Sequence, residues 1–220
     1  MARTKIVSAE GTRDVERTRD ADRTRADLLD IATEEFARSG YAGARVDEIA
    51  ARTRSTKRMI YYYFGGKEGL YIAVLERAYA GIREHEQRLD VAHLSPTEAV
   101  RRLVELTFDY HEGHPDFIKL VADENLHDAA HLKKSTAVGK ASRSIVGLLD
   151  DLLVAGRTSG EFTADVAAID LHLMISALCF FRVANRPTVR AVFAYEMGSR
   201  SHAARQRRLI ADMVIRYLQG

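Results

Sequence analysis

Along most of the chain apolar residues recur at intervals of three and four, the spacing of helices that bury one face; strict alternation of the strand type is almost absent. Leu28, Ile31, Ala32, Glu35 and Phe36 trace such a stripe on a first helix predicted from Arg23 to Ser39, with Gly40 as its stop. Val46, Ile49, Ala50 and Thr53 place a short second helix that breaks near Arg54. A third starts at Ser55 or Thr56, either of which carries a hydroxyl suited to an N-cap, and ends near Phe64 before Gly65 and Gly66. A longer fourth helix follows from Lys67 to about Leu89, with Leu70, Tyr71, Val74, Leu75, Ala78 and Ile82 on its apolar side.

Further on, Ser95-Pro96-Thr97-Glu98 combines a capping box with proline at the first helical position and launches Ala99, Val100, Leu103, Leu106 and Tyr110. His114-Pro115 opens a helix containing Phe117, Leu120 and Val121, and Ile145, Leu148, Leu149 and Leu152 mark another over Ser142–Leu153, closed by Gly156 and Gly160. Two more are predicted, Ala164–Ala184 and Ser201–Leu218. The former is apolar on more than one side and so needs two sets of neighbours. Residues 1 to 22 show no apolar periodicity and many charges of both signs, which reads as a flexible charged arm. The expectation is an all-α protein without internal repeats.

Composition narrows the setting. With 220 residues, 46% of them hydrophobic, the chain can bury a sizeable core. A single cysteine, Cys179 in an apolar run, excludes an internal disulfide framework and a multi-cysteine zinc site and fits a reducing cytoplasm. The first residues lack the apolar centre of a secretion signal, and Val166–Ala184 carries Asp170, His172 and Arg182 in mid-span, so neither export nor a membrane helix is expected.

Net charge is only +2, yet its distribution is uneven. Arg52, Arg54, Lys57, Arg58 and Lys67 form a basic run free of acids, bounded by Glu48 and Glu68. Three short helices, the last two joined tightly and the third so charged, follow the helix-turn-helix plan in which the third enters the major groove of double-stranded DNA. On that helix Thr56 can donate to a phosphate, Lys57 and Arg58 can reach phosphates or guanine edges, and Met59 can touch a thymine methyl. Tyr61 and Tyr62 add hydroxyl donors, while Ile60, Tyr63 and Phe64 are spaced to pack inward.

The segment LLDIATEEFARSGYAGARVDEIAARTRSTKRMIYYYFGGKEGLY resembles the N-terminal pattern of the tetracycline-repressor (TetR) family. The resemblance is carried by Phe36, Gly40-Tyr41, Val46, Ile49-Ala50, Tyr61, Phe64 and Lys67-Glu68-Gly69-Leu70. It implies a DNA-binding domain over residues 23–66 and a larger helical domain over 67–220 that dimerises and binds a small molecule. It places Thr56, Lys57, Arg58, Met59, Tyr61 and Tyr62 against the operator, with Lys67 beside a phosphate at a helix N-terminus. Two departures stand out. Arg54 occupies a turn position where the family commonly has glycine, a site that calls for positive φ. Ala44-Arg45 replaces hydroxyl residues that cap the second helix, which leaves Arg45 to reach phosphate directly.

The same resemblance implies a ligand-responsive repressor that binds a palindromic operator as a homodimer and is released by an effector. Its last two helices would pair across a twofold axis through Leu171, Ile175, Leu178, Ile210, Met213 and Tyr217. The stretches DYHEGHPDF, ENLH and LCFFRVANR further resemble regulators of aromatic and heteroaromatic catabolism, including nicotinate and pyrimidine breakdown. An effector, aromatic in character, is expected near Phe108, His111, Phe117, Asn125 and Phe181, acting through the fourth helix. Two other readings stay open: a ligand-independent regulator or activator, and a metal-dependent hydrolase. The latter draws on His127 and His131 at i and i+4, with His111, His114 and Glu124 near in sequence. Against it, neither cluster spells H-E-x-x-H, and P-loop, G-x-S-x-G and dinucleotide fingerprints are absent, so no cofactor is expected.

Overall fold

The structure, a computed structural model, describes residues 9–220, with side chains from Arg19 onward. Every regular element among them is helical, and the chain divides into two compact units, one through Val74 and one from Leu75. The division falls inside a helix rather than at the Gly65-Gly66 break.

The first unit contains α1 (Ala9–Gly43), α2 (Val46–Arg52), α3 (Lys57–Phe64) and the first turns of α4 (Lys67–Gln87). Leu28, Ala32 and Phe36 of α1, Ile49 of α2, Ile60 of α3, and Leu70, Tyr71 and Val74 of α4 are essentially fully buried. Phe36 meets Tyr71 edge-on with ring centroids 4.8 Å apart. Gly40 breaks α1 with φ 66°, as a stop at that residue requires. At its other end α1 runs well upstream of Arg23. Residues 9–22 are helical although the sequence marks them as part of an arm; residues 1–8 lie outside the described residues. The reason is propagation: a helix nucleated by the packed Leu28–Phe36 stripe extends at little cost through residues with no proline among them. Gly69 fits a close approach, since a Cβ there would lie 1.8 Å from the Phe64 carbonyl oxygen.

The second unit comprises the rest of α4, α5 (Pro96–Gly113), α6 (Pro115–Leu126), a 3₁₀ turn (Leu132–Lys134), α7 (Thr136–Ser159), α8 (Ala168–Ala184), α9 (Arg186–Phe193) and α10 (Arg200–Gln219). The capping box is present: Ser95 Oγ accepts from the Glu98 N–H while Glu98 accepts from the Ser95 N–H. Ser135 caps α7, which therefore starts earlier than the apolar stripe alone marks. α9 was not expected. It has no buried residue and so leaves no stripe to read, but Pro187 sits in its first turn. The core joins Val100, Leu103 and Val104 of α5, Leu149 and Leu153 of α7, Leu171 and Ile175 of α8, and Ala211, Val214 and Leu218 of α10.

This core corrects half of the expected dimer contacts. Leu171, Ile175 and Ile210 are at most 4% exposed and pack within their own subunit, so they offer nothing to a second copy. On α8 the open face is turned by about a third of a helix and carries Met174 and Phe181, with Leu178 half-buried beside them. Met213 and Tyr217 of α10 are 49% and 45% exposed. Among the described residues no single helix is long and apolar enough to cross a membrane.

Candidate nucleic-acid interface and small-molecule cavity

The turn between α2 and α3 is closed by two backbone hydrogen bonds, Ser55 N–H to the Ala50 carbonyl (3.0 Å) and Arg54 N–H to the Ala51 carbonyl (3.4 Å). That double lock needs a left-handed residue between helix and exit, and Arg54 supplies it at φ 52°. The strain expected where glycine is replaced is therefore accepted rather than avoided. α3 then separates its faces. Ile60 is fully buried, Tyr63 and Phe64 are half-buried, and Lys57, Arg58, Tyr61 and Tyr62 are exposed on the other side. Thr56 is the N-cap by backbone geometry, but its hydroxyl makes no capping bond and stands at the surface; Met59 is half-buried. Lys57 Nζ lies 3.1 Å from Asp47 Oδ1, an exposed pair weak enough to yield to a phosphate.

Lys67 is tied back, its ammonium donating to the Ala42 carbonyl at 3.2 Å and lying 4.9 Å from the Tyr41 ring centre. Two of its three N–H donors stay available to a phosphate by valence. Arg45, the N-cap of α2, is exposed and its side chain makes no cap bond. The missing hydroxyl cap is replaced from α1. Burial would raise the Glu35 pKa, but the Arg38 guanidinium at 2.5 Å, the Ser39 hydroxyl and the Arg45 backbone N–H outweigh it and hold the carboxylate below its ordinary range. Sequence reasoning placed Glu35 in the buried stripe without seeing this task. A carboxylate on an apolar face was the signal.

In the second unit a cavity of about 380 Å³ is lined by side chains of α4, α5, α6 and α8. Tyr79, Ile82, Phe117, Val121, Leu173 and Phe180 give it apolar walls, with Tyr79 and Phe117 edge to face at 5.3 Å. Arg83, Glu86, Thr107, His111, Asn125, His172 and Ser176 bring polar groups to it. Arg83 and Glu86 form an ion pair, Nη1 to Oε2 at 2.5 Å, with both side chains almost wholly buried. Burial pushes the Glu86 carboxyl up to about 7 against the pull of Arg83. Burial pushes His111 down to about 4, so its imidazole is neutral at pH 7.

Of the residues expected around an effector, His111, Phe117 and Asn125 line this cavity. Phe108 does not: it is 3% exposed, packed in the core, with the Arg182 guanidinium 4.7 Å from its ring centre. Phe181 is also misplaced. It is 57% exposed on the open side of α8, and its neighbour Phe180 takes the cavity wall. A one-residue shift turns a helix by about 100°, which apolar periodicity cannot resolve on a helix apolar nearly all round. Tyr79, Arg83 and Glu86 were missed because a fourth helix read for its apolar side hides the charges it turns inward.

The histidines do not converge. His131 Nδ1 bonds Glu124 Oε1 at 2.8 Å, while Glu124 Oε2 accepts from the backbone N–H groups of His131 and Leu132. Nδ1 of His127 bonds the Asp123 carbonyl, and that of His114 bonds the Tyr110 carbonyl. Among the described residues no group of three or more histidine, cysteine or acidic side chains could hold a metal ion.

Comparison with known proteins agrees with this arrangement. Residues 28–74 match the bacterial regulatory proteins of the tetR family, and residues 96–214 match the tetracyclin repressor-like C-terminal domain. The chain is 37% identical over 196 residues to the HTH-type transcriptional repressor NicS of Pseudomonas putida, spanning 89% of this chain and 92% of that protein. It is 31% identical to the HTH-type transcriptional repressor SCO4008 of Streptomyces coelicolor, over 73% of this chain and 78% of that protein. Among solved structures, the putative transcriptional regulator SCO4942 of Streptomyces coelicolor superposes with a TM-score of 0.66 at 28% identity, covering 87% of this chain and 96% of its own. These relatives are regulators, which removes the hydrolase reading. The chain belongs to the TetR family of bacterial regulatory proteins: it is a DNA-binding transcriptional repressor, and not an enzyme.

Proposed function

We propose that this repressor acts in the cytoplasm as a homodimer that holds a palindromic operator through its two copies of α3 and lets go when a small aromatic effector enters the cavity. The observation that carries the reading is the cavity itself, an apolar chamber with a few convergent polar groups, on a unit separate from the DNA-reading helix. Its lining by the Tyr79, Phe117 and Phe180 rings suits the resemblance to regulators of aromatic and heteroaromatic catabolism. Lys57, Arg58, Tyr61 and Tyr62 read and position the duplex, with Thr56, Met59, Arg45 and Lys67 at the margins. α4 is common to both units, bearing Lys67 at one end and Tyr79, Arg83 and Glu86 at the other. A ligand that favours one setting of α4 thereby biases DNA binding.

The second copy is assigned to the open apolar strip of α8 and α10, namely Met174, Leu178, Phe181, Leu209, Met213 and Tyr217. Exposed apolar residues of this number on adjoining helices mark an interaction surface. Selection of tight binders from a random duplex library tests the whole reading. An inverted repeat, bound by a species of twice the chain's mass, is expected. A consensus without internal symmetry, bound by a single chain, contradicts it.

A further inference from the structure

Among the side chains that line the cavity, two buried nitrogens have no hydrogen-bond partner, Arg83 Nε and His111 Nδ1. Both residues line the cavity and are at most 6% exposed. A buried donor left unsatisfied is costly, so the Arg83 N–H is a standing site for an acceptor. The charges around it are sparse. α4 contributes Tyr79, Arg83, Glu84 and Glu86; α5 contributes Tyr110 and His111, with His114 just past its end; α8 contributes His172; and Glu124 of α6 acts on Tyr79. Burial and the Arg83 charge both depress His111 and His172. The cavity lining thus carries one guanidinium paired with one carboxylate.

We propose that the cavity selects single-ring aromatic anions, and that the entering carboxylate takes over Arg83 while Glu86 leaves the ion pair as the neutral acid, with one proton drawn from solvent. The proposal rests on the cavity being the effector site. Its logic is electrostatic. Two carboxylates sharing one desolvated cation cannot both stay ionised, and the weaker acid takes the proton. Glu86 is already raised to about 7 by burial, whereas a benzoate-like acid enters ionised. The Tyr79, Phe117 and Phe180 rings hold the flat body, and the orphaned Arg83 Nε becomes the second prong of a guanidinium fork on the ligand's two oxygens.

Sign and window follow from linkage. Below pH 7 the Glu86 acid is already formed and binding takes up almost no proton; above it, each binding event must supply one, so affinity falls as pH rises.

Calorimetric titration of the full-length protein with benzoate and with its neutral isostere benzamide, in buffers of different ionisation enthalpy from pH 6 to 8, tests this. Benzoate should bind about tenfold or more tighter than benzamide at pH 6. Its proton uptake should climb from near zero at pH 6 through about half a proton at pH 7 toward one at pH 8, with none for benzamide. In Glu86→Gln benzoate should still bind, with uptake and pH dependence abolished. Benzoate binding without uptake in the wild type overturns the exchange even if the Gln variant fails to fold, and so does uptake that survives in Glu86→Gln. Benzamide binding as tightly as benzoate overturns the anion assignment while leaving the cavity as effector site. Binding of neither overturns the ligand class, and benzoate binding that leaves operator affinity unchanged overturns the effector reading itself.

Discussion

Through Val74, the basic residues assigned to DNA, Lys57 and Arg58, stand in solvent on α3, and the geometry that aims them comes from apolar packing beneath and from the backbone lock at Arg54. From Leu75 onward the pattern inverts: Arg83, Glu86, Glu124 and Arg182 are buried, each beside an opposite charge or a hydrogen-bonding partner. A surface that meets a polyanion gains from charges water can release cheaply. A chamber that must discriminate one small molecule gains from charges water cannot reach. Polar substitutions should accordingly hurt folding in the second unit and binding in the first.

The sharpest break of that contrast is Glu124→Ala. It strips the acceptor from His131 Nδ1 and two backbone N–H groups at a nearly sealed site, and should cost about 3 to 5 kcal/mol in urea unfolding. Glu35 is the exception inside the first unit, a buried carboxylate that anchors α2. Its folded pKa is depressed, so its stabilisation is complete above the unfolded carboxylate range near 4.5 and is lost as pH falls through the lower folded value. Glu35→Gln should flatten that acid limb and cost about 1.5 to 3 kcal/mol at neutral pH in parallel melts.

Lys57→Ala and Arg58→Ala test the other side of the contrast. Each should weaken operator binding by about 1 to 3 kcal/mol where it reads a base, while changing stability by no more than about 0.5 kcal/mol. A large loss of stability without loss of affinity would put these residues in the wrong class. Arg54→Gly is the smallest effect and the opposite sign. Removing a side chain from φ 52° should stabilise the protein by about 1 kcal/mol, seen as a higher melting temperature with operator affinity kept.

What could be read from the sequence follows how far apart the cooperating residues lie. The helix assigned to DNA is eight consecutive residues, and helical periodicity sorts Ile60 from Lys57, Arg58, Tyr61 and Tyr62. The strain at Arg54 was legible only through the family resemblance, in which glycine is common at that turn. The cavity gathers residues from four helices, and His111, Phe117 and Asn125 were reached while Arg83 and Glu86 were not, since nothing local distinguishes an inward charge from a solvated one on α4. On α8, apolar residues on every side left the face of Leu171 and Ile175 interchangeable with that of Met174 and Phe181 until the core was seen. The histidine pair at 127 and 131 shared helical spacing without sharing a helix: α6 ends at Leu126, and the two rings go to different partners.

Under the proposed function, ligand in the α4–α5–α6–α8 cavity and operator on α3 are coupled through one protein. Titration of benzoate into the protein with and without saturating operator measures this directly. Coupling must be reciprocal, so operator should weaken benzoate by the same factor by which benzoate weakens operator, about 5- to 150-fold. Equal benzoate affinities in the two titrations would contradict it.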